Sequence, residues 1–167
     1  PATEANLKVP AWLTNPTYYH NRGDSSFSGE NSLYGDFFGL DDLFTEEPAV
    51  RDGLIQVFKD AVTAYNVDGF RIDTVKHVNQ EFWRKFAPEL TDYAAAQGKP
   101  NFFMFGEVYS GNEQLMSFYP TALNASGPDL QAVLDFGFQS AARNFASANG
   151  ASDNLRTFFE KDDWFID

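Results

Sequence analysis

Three features of the chain predict an α/β fold built on a parallel sheet. Residues 67–72 form a short apolar run with Val67, Phe70 and Ile72, followed at once by Asp73. Residues 101–108 form a second apolar run of strand length, carrying Glu107 directly after a glycine. The segment between them has helical spacing, so the order is strand, helix, strand. Two strands joined by a crossover helix lie parallel in one sheet. Their C-terminal ends then sit side by side, and ligands bind outside those ends.

Taken in order, residues 1 to about 45 lack sustained periodicity and are rich in Asn, Gly, Ser and Asp, which predicts an irregular, loop-dominated region. Turns are expected at residues 18–24 and 28–31. Trp12, Tyr18, Phe27, Tyr34, Phe37 and Phe38 give this region too many aromatics for wholesale disorder. Thr45 is a candidate N-cap, with Glu46, Glu47 and Pro48 suited to a first helical turn. Val50, Leu54, Val57, Phe58, Ala61 and Tyr65 then recur at helical spacing, and Asn66 ends that helix.

In the first strand, alternation puts Gly69, Arg71 and Asp73 on one face and Phe70 and Ile72 on the other. Asn79 can cap the crossover helix, whose apolar stripe is Phe82, Phe86 and Leu90. Pro88 predicts a break or kink, and Gly98 a stop. The second strand is expected over 102–108. Beyond it come a short helix at 112–119, a loop at 120–129, a third strand over 131–138, and helical pieces at 140–148 and 154–159.

The chemistry gathers at the strand ends. A strand face carrying Arg71 and Asp73, if buried, is costly unless the charges pair or meet a polar ligand. A structural ion pair satisfies that requirement equally well. Glu107 adds a second carboxylate at the end of the neighbouring strand. Two carboxylates flanking one cleft are what glycoside hydrolysis needs, one donating a proton and the other attacking or activating water.

Asp68-Gly69-Phe70-Arg71-Ile72-Asp73, followed by Lys76-His77, resembles the best-known signature of the α-amylase family of retaining glycoside hydrolases. Phe105-Gly106-Glu107-Val108 resembles that family's next signature, at a suitable distance downstream. The resemblance covers nearly the whole chain. It implies a partial (β/α)8 TIM barrel, with about three parallel strands and flanking helices, plus part of an irregular B-domain insertion. The division it implies is a loop-rich B-domain-like segment at 1–45 and the central part of the catalytic barrel at 46–167.

By that resemblance Asp73 is the nucleophile and Glu107 the acid/base, while Arg71 keeps Asp73 ionised and oriented. Lys76 and His77 would bind substrate, an α-glucan oligo- or polysaccharide. Leu40-Asp41-Asp42-Leu43 resembles the acidic motif where the family binds a structural calcium. Asp42 and the backbone carbonyl of His77 are its candidate ligands, the alternative being a solvated acidic turn. Tyr109 and Trp12 are candidates to stack on sugar rings, though aromatics serve cores as readily.

Departures from the pattern matter too. The family's earlier His–Asn signature and its later His–Asp signature are both absent, so the set is incomplete. Pro1-Ala2-Thr3-Glu4 reads as an internal boundary of a longer protein. The chain alone is therefore expected to hydrolyse α-glucans poorly or not at all. A glucan transferase or debranching enzyme of the same family, and a non-catalytic carbohydrate-binding relative, are the competing readings.

Composition narrows the partners. A formal net charge of −12 argues against nucleic acid and against an anionic membrane surface. The absence of cysteine rules out disulfides, thiol catalysis and thiolate metal sites. No Gly-rich phosphate loop supports a phosphoryl-transfer reading. Three strands do not close a barrel, which needs eight. Unclosed sheet edges predict self-association.

Overall fold

A computed structural model of the chain describes residues 7–120, 130–147, 150–160 and 162–165. The expected boundary at residues 1–4 and nearly all of the expected loop at 120–129 lie outside them. The sheet has three parallel strands in the order β1-β2-β3, namely Gly69–Ile72, Phe103–Gly106 and Ala132–Val133. Helices α1 (Asn31–Tyr34), α2 (Pro48–Tyr65), α3 (Gln80–Ala96), α4 (Glu113–Ser117), α5 (Phe136–Ala146) and α6 (Ser152–Phe159) surround or follow it. Three parallel strands with flanking helices are the arrangement expected.

The core lies between one sheet face and helices α2 and α3. Phe82, Phe86 and Leu90 form the expected stripe of α3, and Phe102, Met104 and Val108 meet them from the second strand and its flanks. Phe58 of α2 contacts both Phe70 and Phe86 edge-on, and Phe70 contacts Phe102. Full burial of such side chains stabilises the fold by about 1.5–3 kcal/mol each.

On α2 the fully buried positions are Val50, Ile55 and Val62, with Leu54 and Phe58 packed against the cluster. Tyr65, expected on this stripe, is 78% exposed. It sits on the last turn, past the end of the packed face. Asn66 ends the helix in the left-handed conformation, and Gly98 does the same beyond α3.

Several local expectations are corrected. Thr45 is not the N-cap of α2; Glu47 holds that position and Pro48 begins the helix. Asn79 does stand at the N-cap of α3, yet its side chain does not cap. The two residues are bonded to each other instead, with Thr45 Oγ1 donating to Asn79 Oδ1 at 2.7 Å in a buried pair. A tertiary bond between two would-be caps ties the end of the N-terminal region to the crossover helix. Helix α3 also runs through Pro88 without a break. Buried Phe86, Ala87, Leu90 and Ala94 on both sides of the proline hold the two halves in line.

The third strand is much shorter than its apolar run. Asp135 accepts a hydrogen bond from the Phe138 N–H at 2.8 Å and so starts α5 where strand was expected. Capping by Asp135 outweighs the strand preference of Phe136 and Phe138.

Residues 7–47 are irregular but stapled. Tyr19 bridges Leu43, Asp24 bridges Asp36, and Phe37 bridges Leu40. Trp12 packs on α2 at Gly53, where an added Cβ would lie 2.7 Å from the indole, and meets Tyr18 edge-on. That contact gives Trp12 a packing role.

Candidate active site

The strand register sets the site. Gly69 pairs with Phe103 and Ile72 with Gly106, so the next residues, Asp73 and Glu107, are opposite each other. Two hydrogen bonds extend the ladder there, from Glu107 N–H to the Ile72 carbonyl at 2.7 Å and from Val75 N–H to the Glu107 carbonyl at 3.0 Å. Arg71 lies on the same face. Its Nη1 is 3.3 Å from Asp73 Oδ1, and its Nη2 donates to Glu107 Oε2. One guanidinium thus bridges both carboxylates, where the sequence pattern points to Asp73 alone.

This face is open rather than buried. The Arg71 and Asp73 side chains are 50% and 66% exposed, and Glu107 only 21%. Phe103 and Phe105 share the face, their rings stacked, with Phe103 half exposed. Solvent therefore lowers the cost of charges that would be expensive in an interior.

After Asp73 the chain turns sharply. Thr74 adopts φ 53°, ψ 32°, a left-handed conformation that is unusual for a β-branched residue. Strained backbone of this kind collects at functional sites. The following turn, Val75–His77, is anchored from beneath. Val75 is fully buried, and its carbonyl accepts from the Trp83 indole N–H at 3.1 Å.

Lys76 and His77 project from that turn. Lys76 Nζ donates to the Tyr109 carbonyl at 2.6 Å. His77 Nδ1 is 2.8 Å from the Ser32 carbonyl and 3.0 Å from its hydroxyl. A carbonyl only accepts, so Nδ1 donates to it. The contact docks α1 onto the strand-end turn.

Together these residues enclose a cavity of about 380 Å³, within the ordinary range for ligand pockets. Glu107, Lys76, His77 and Tyr109 form one side, and Phe27, Phe37 and Phe38 the other. Asp73 does not line it, although its neighbour Thr74 does. The three phenylalanines carry no sequence signal that marks them as site residues. Phe27 and Phe38 both have positive φ, and the three rings contact one another. Phe27 and Phe37 each meet the His77 ring edge-on at 5.7 Å between centroids.

Asp42 lies elsewhere. Its Oδ2 is 2.6 Å from His20 Nδ1, and Glu46 Oε2 is 3.1 Å from Nε2 of the same ring, which packs between Tyr34 and Phe44. Among the described residues no group of three or more His, Asp or Glu side chains is placed to hold a metal ion. Calcium needs six to eight oxygens. Of the Asp42 carboxylate, Oδ2 is engaged by His20.

Burial pushes the Asp42 carboxyl up to about 6, against the opposing hydrogen bond and charge of His20, with Glu46 and Asp36 adding to the rise. The fold thus favours protonated Asp42. Stability from this group is fully present below about 3.9, its unfolded value, and is lost as pH rises through about 6. Melting temperatures across pH 4–7 should therefore show a wild-type advantage over Asp42→Asn that shrinks with rising pH. A pH-independent difference would remove Asp42 as the cause.

The same arrangement of strands and loops occurs in known proteins. The family model described as "Alpha amylase, catalytic domain" matches residues 5–165. An alpha-amylase of Streptomyces lividans is 49% identical over 162 residues, covering 97% of this chain and 17% of that protein. A cyclomaltodextrin glucanotransferase of Bacillus licheniformis is 36% identical over 145 residues, covering 83% and 18%. The crystal structure of an Anoxybacillus alpha-amylase superposes with a TM-score of 0.76 at 28% identity, over 93% of this chain and 33% of that one. The chain thus spans between about a sixth and a third of these proteins' lengths.

Proposed function

The chain belongs to the alpha-amylase family of glycoside hydrolases, and from that premise we propose that it carries the two reacting carboxylates of a retaining α-glucan hydrolase. The observation that carries the proposal is that Asp73 and Glu107 directly follow the last register pair, Ile72 and Gly106, and meet one guanidinium. Adjacent strands lie about 4.7–4.9 Å apart. Side chains leaving neighbouring strand ends can reach the carboxyl spacing of about 5–5.5 Å that retention requires.

In this reading the Asp73 carboxylate attacks the anomeric carbon as the bond to the leaving sugar breaks. Glu107 gives its proton to the departing oxygen. Water then attacks the same carbon, Glu107 takes up a proton from it, and Asp73 is released. Arg71 orients both carboxylates, while Lys76 and His77 hold the sugar beside Glu107. The substrate class is starch-type α-1,4-linked glucan, and residues 7–45 act as the B-domain-like wall over the cleft. The two signatures missing from the sequence belong to other parts of a complete barrel, so full activity is a property of the longer enzyme.

The anomeric configuration of the first product tests this. Proton NMR of a digest by the full-length enzyme should show the α-anomer appearing before mutarotation. Initial β-anomer would overturn the retaining assignment. The similarity to a glucanotransferase favours a second reading, transfer to an acceptor sugar in place of water. Elongated products would then accompany or replace hydrolysis.

A further inference from the structure

Trp83 of α3 is not among the residues that line the strand-end cavity. Its side chain is 3% exposed and packs edge-on against Phe82 and Phe86 inside the core. A buried indole needs a partner for its N–H, and here that partner is the Val75 carbonyl at 3.1 Å. Resting on the α-glucan reading above, we infer that Trp83 is a positioning residue for substrate binding. Through the Val75 carbonyl it sets the peptide from which Lys76 and His77 reach the sugar beside Glu107.

Val75 is held at both of its peptide bonds. Its N–H donates to the Glu107 carbonyl at 3.0 Å, and its own carbonyl accepts from the indole. That carbonyl shares a rigid plane with the Lys76 N–H, so a bond there fixes the direction in which the chain enters Lys76. The Val78 N–H also reaches it, at a longer 3.3 Å. Thr74, just upstream, is left-handed, and such backbone persists only where its surroundings over-determine it. The Val75 side chain is wedged as well, since a Cβ on Gly106 would lie 2.6 Å from Val75 Cγ2. Downstream, Lys76 Nζ meets the Tyr109 carbonyl at 2.6 Å and His77 Nδ1 the Ser32 carbonyl at 2.8 Å. A tilt of the Val75–Lys76 peptide would break both contacts. Asp73 and Glu107 are carried by the strand ends, so the tilt weakens the hold on the sugar and spares the reacting pair.

The test is steady-state kinetics of the full-length enzyme carrying Trp83→Phe, on the α-1,4-linked glucose heptasaccharide and on α-glucosyl fluoride. Glu107 serves the departing group, so the sugar beside it is the one that leaves, and the fluoride has no such sugar. The heptasaccharide KM should rise about tenfold, the scale of one lost hydrogen bond, with kcat nearly unchanged. On the fluoride both constants should stay within about twofold of wild type. Combined with Lys76→Ala and His77→Ala, Trp83→Phe should raise KM no further, because residues acting through one another are not additive. Benzothienylalanine at position 83 keeps the shape of the indole and replaces its N–H by sulfur. It should match Trp83→Phe and covers the case in which the smaller ring does not fold. Equal losses on both substrates, an unchanged heptasaccharide KM, or losses that add to those of Lys76 and His77 would overturn the positioning role and leave the α-glucan reading standing. If the wild-type enzyme turned over no glucan, the two would fall together.

Discussion

Gly69→Ala should destabilise the fold more than a methyl added at any other glycine among the described residues. A Cβ at this position would lie 2.1 Å from the Phe103 carbonyl oxygen, a backbone atom of its own register partner. No side chain can move aside, so β1 and β2 must separate or slip. Overpacking of this severity costs about 3 kcal/mol or more. For a chain of this size that lowers the melting temperature by roughly 6–12 °C. Gly106→Ala makes the useful contrast. There the added Cβ would meet Val75 Cγ2 at 2.6 Å and Leu130 Cδ1 at 2.7 Å, both ends of side chains. Val75→Ala should therefore recover part of the loss at Gly106 and nothing at Gly69. Thermal unfolding of the single variants and of each glycine variant combined with Val75→Ala decides it, and a Gly69→Ala chain melting within about 2 °C of wild type would refute the argument.

The same contact explains why so much of the site was legible in sequence. A strand of four residues, beginning at a glycine that only close strand approach requires, ends on Asp73, and its partner ends on Glu107. Alternation correctly put Phe70 and Ile72 on the packed face and Arg71 and Asp73 opposite. What periodicity cannot give is tertiary competition for a side chain. Thr45 and Asn79 each have the chemistry of a helix cap, yet each spends it on the other across 34 residues of sequence. Asp135 shows the reverse, a local cap overriding an apolar run that reads as strand. The aromatic wall of Phe27, Phe37 and Phe38 was invisible for a different reason. Its members have no common period, and backbone turns with positive φ bring them together. Nor did the sequence reveal that Arg71 would reach Glu107, because that bond depends on register between strands.

Register also makes the roles of the two carboxylates separable by experiment. If Glu107 is the acid proposed above, Glu107→Gln in the full-length enzyme keeps its shape but not its proton. The loss in kcat should be about 10²–10⁴-fold, the usual contribution of a positioned acid or base. On the proposed reading Asp73→Asn removes the attacking carboxylate, and the loss should exceed about 10⁴-fold because the covalent route is closed. The difference in kind is more telling than the difference in size. A glucosyl fluoride leaves as fluoride and needs little proton assistance, so bond cleavage by Glu107→Gln should recover strongly on that substrate. Asp73→Asn should not recover, since the attacking oxygen is missing whatever departs. Recovery of Asp73→Asn alone would exchange the two roles. Wild-type rates in both variants on ordinary glucan would leave the Arg71 bridge as a structural ion pair at the end of two strands.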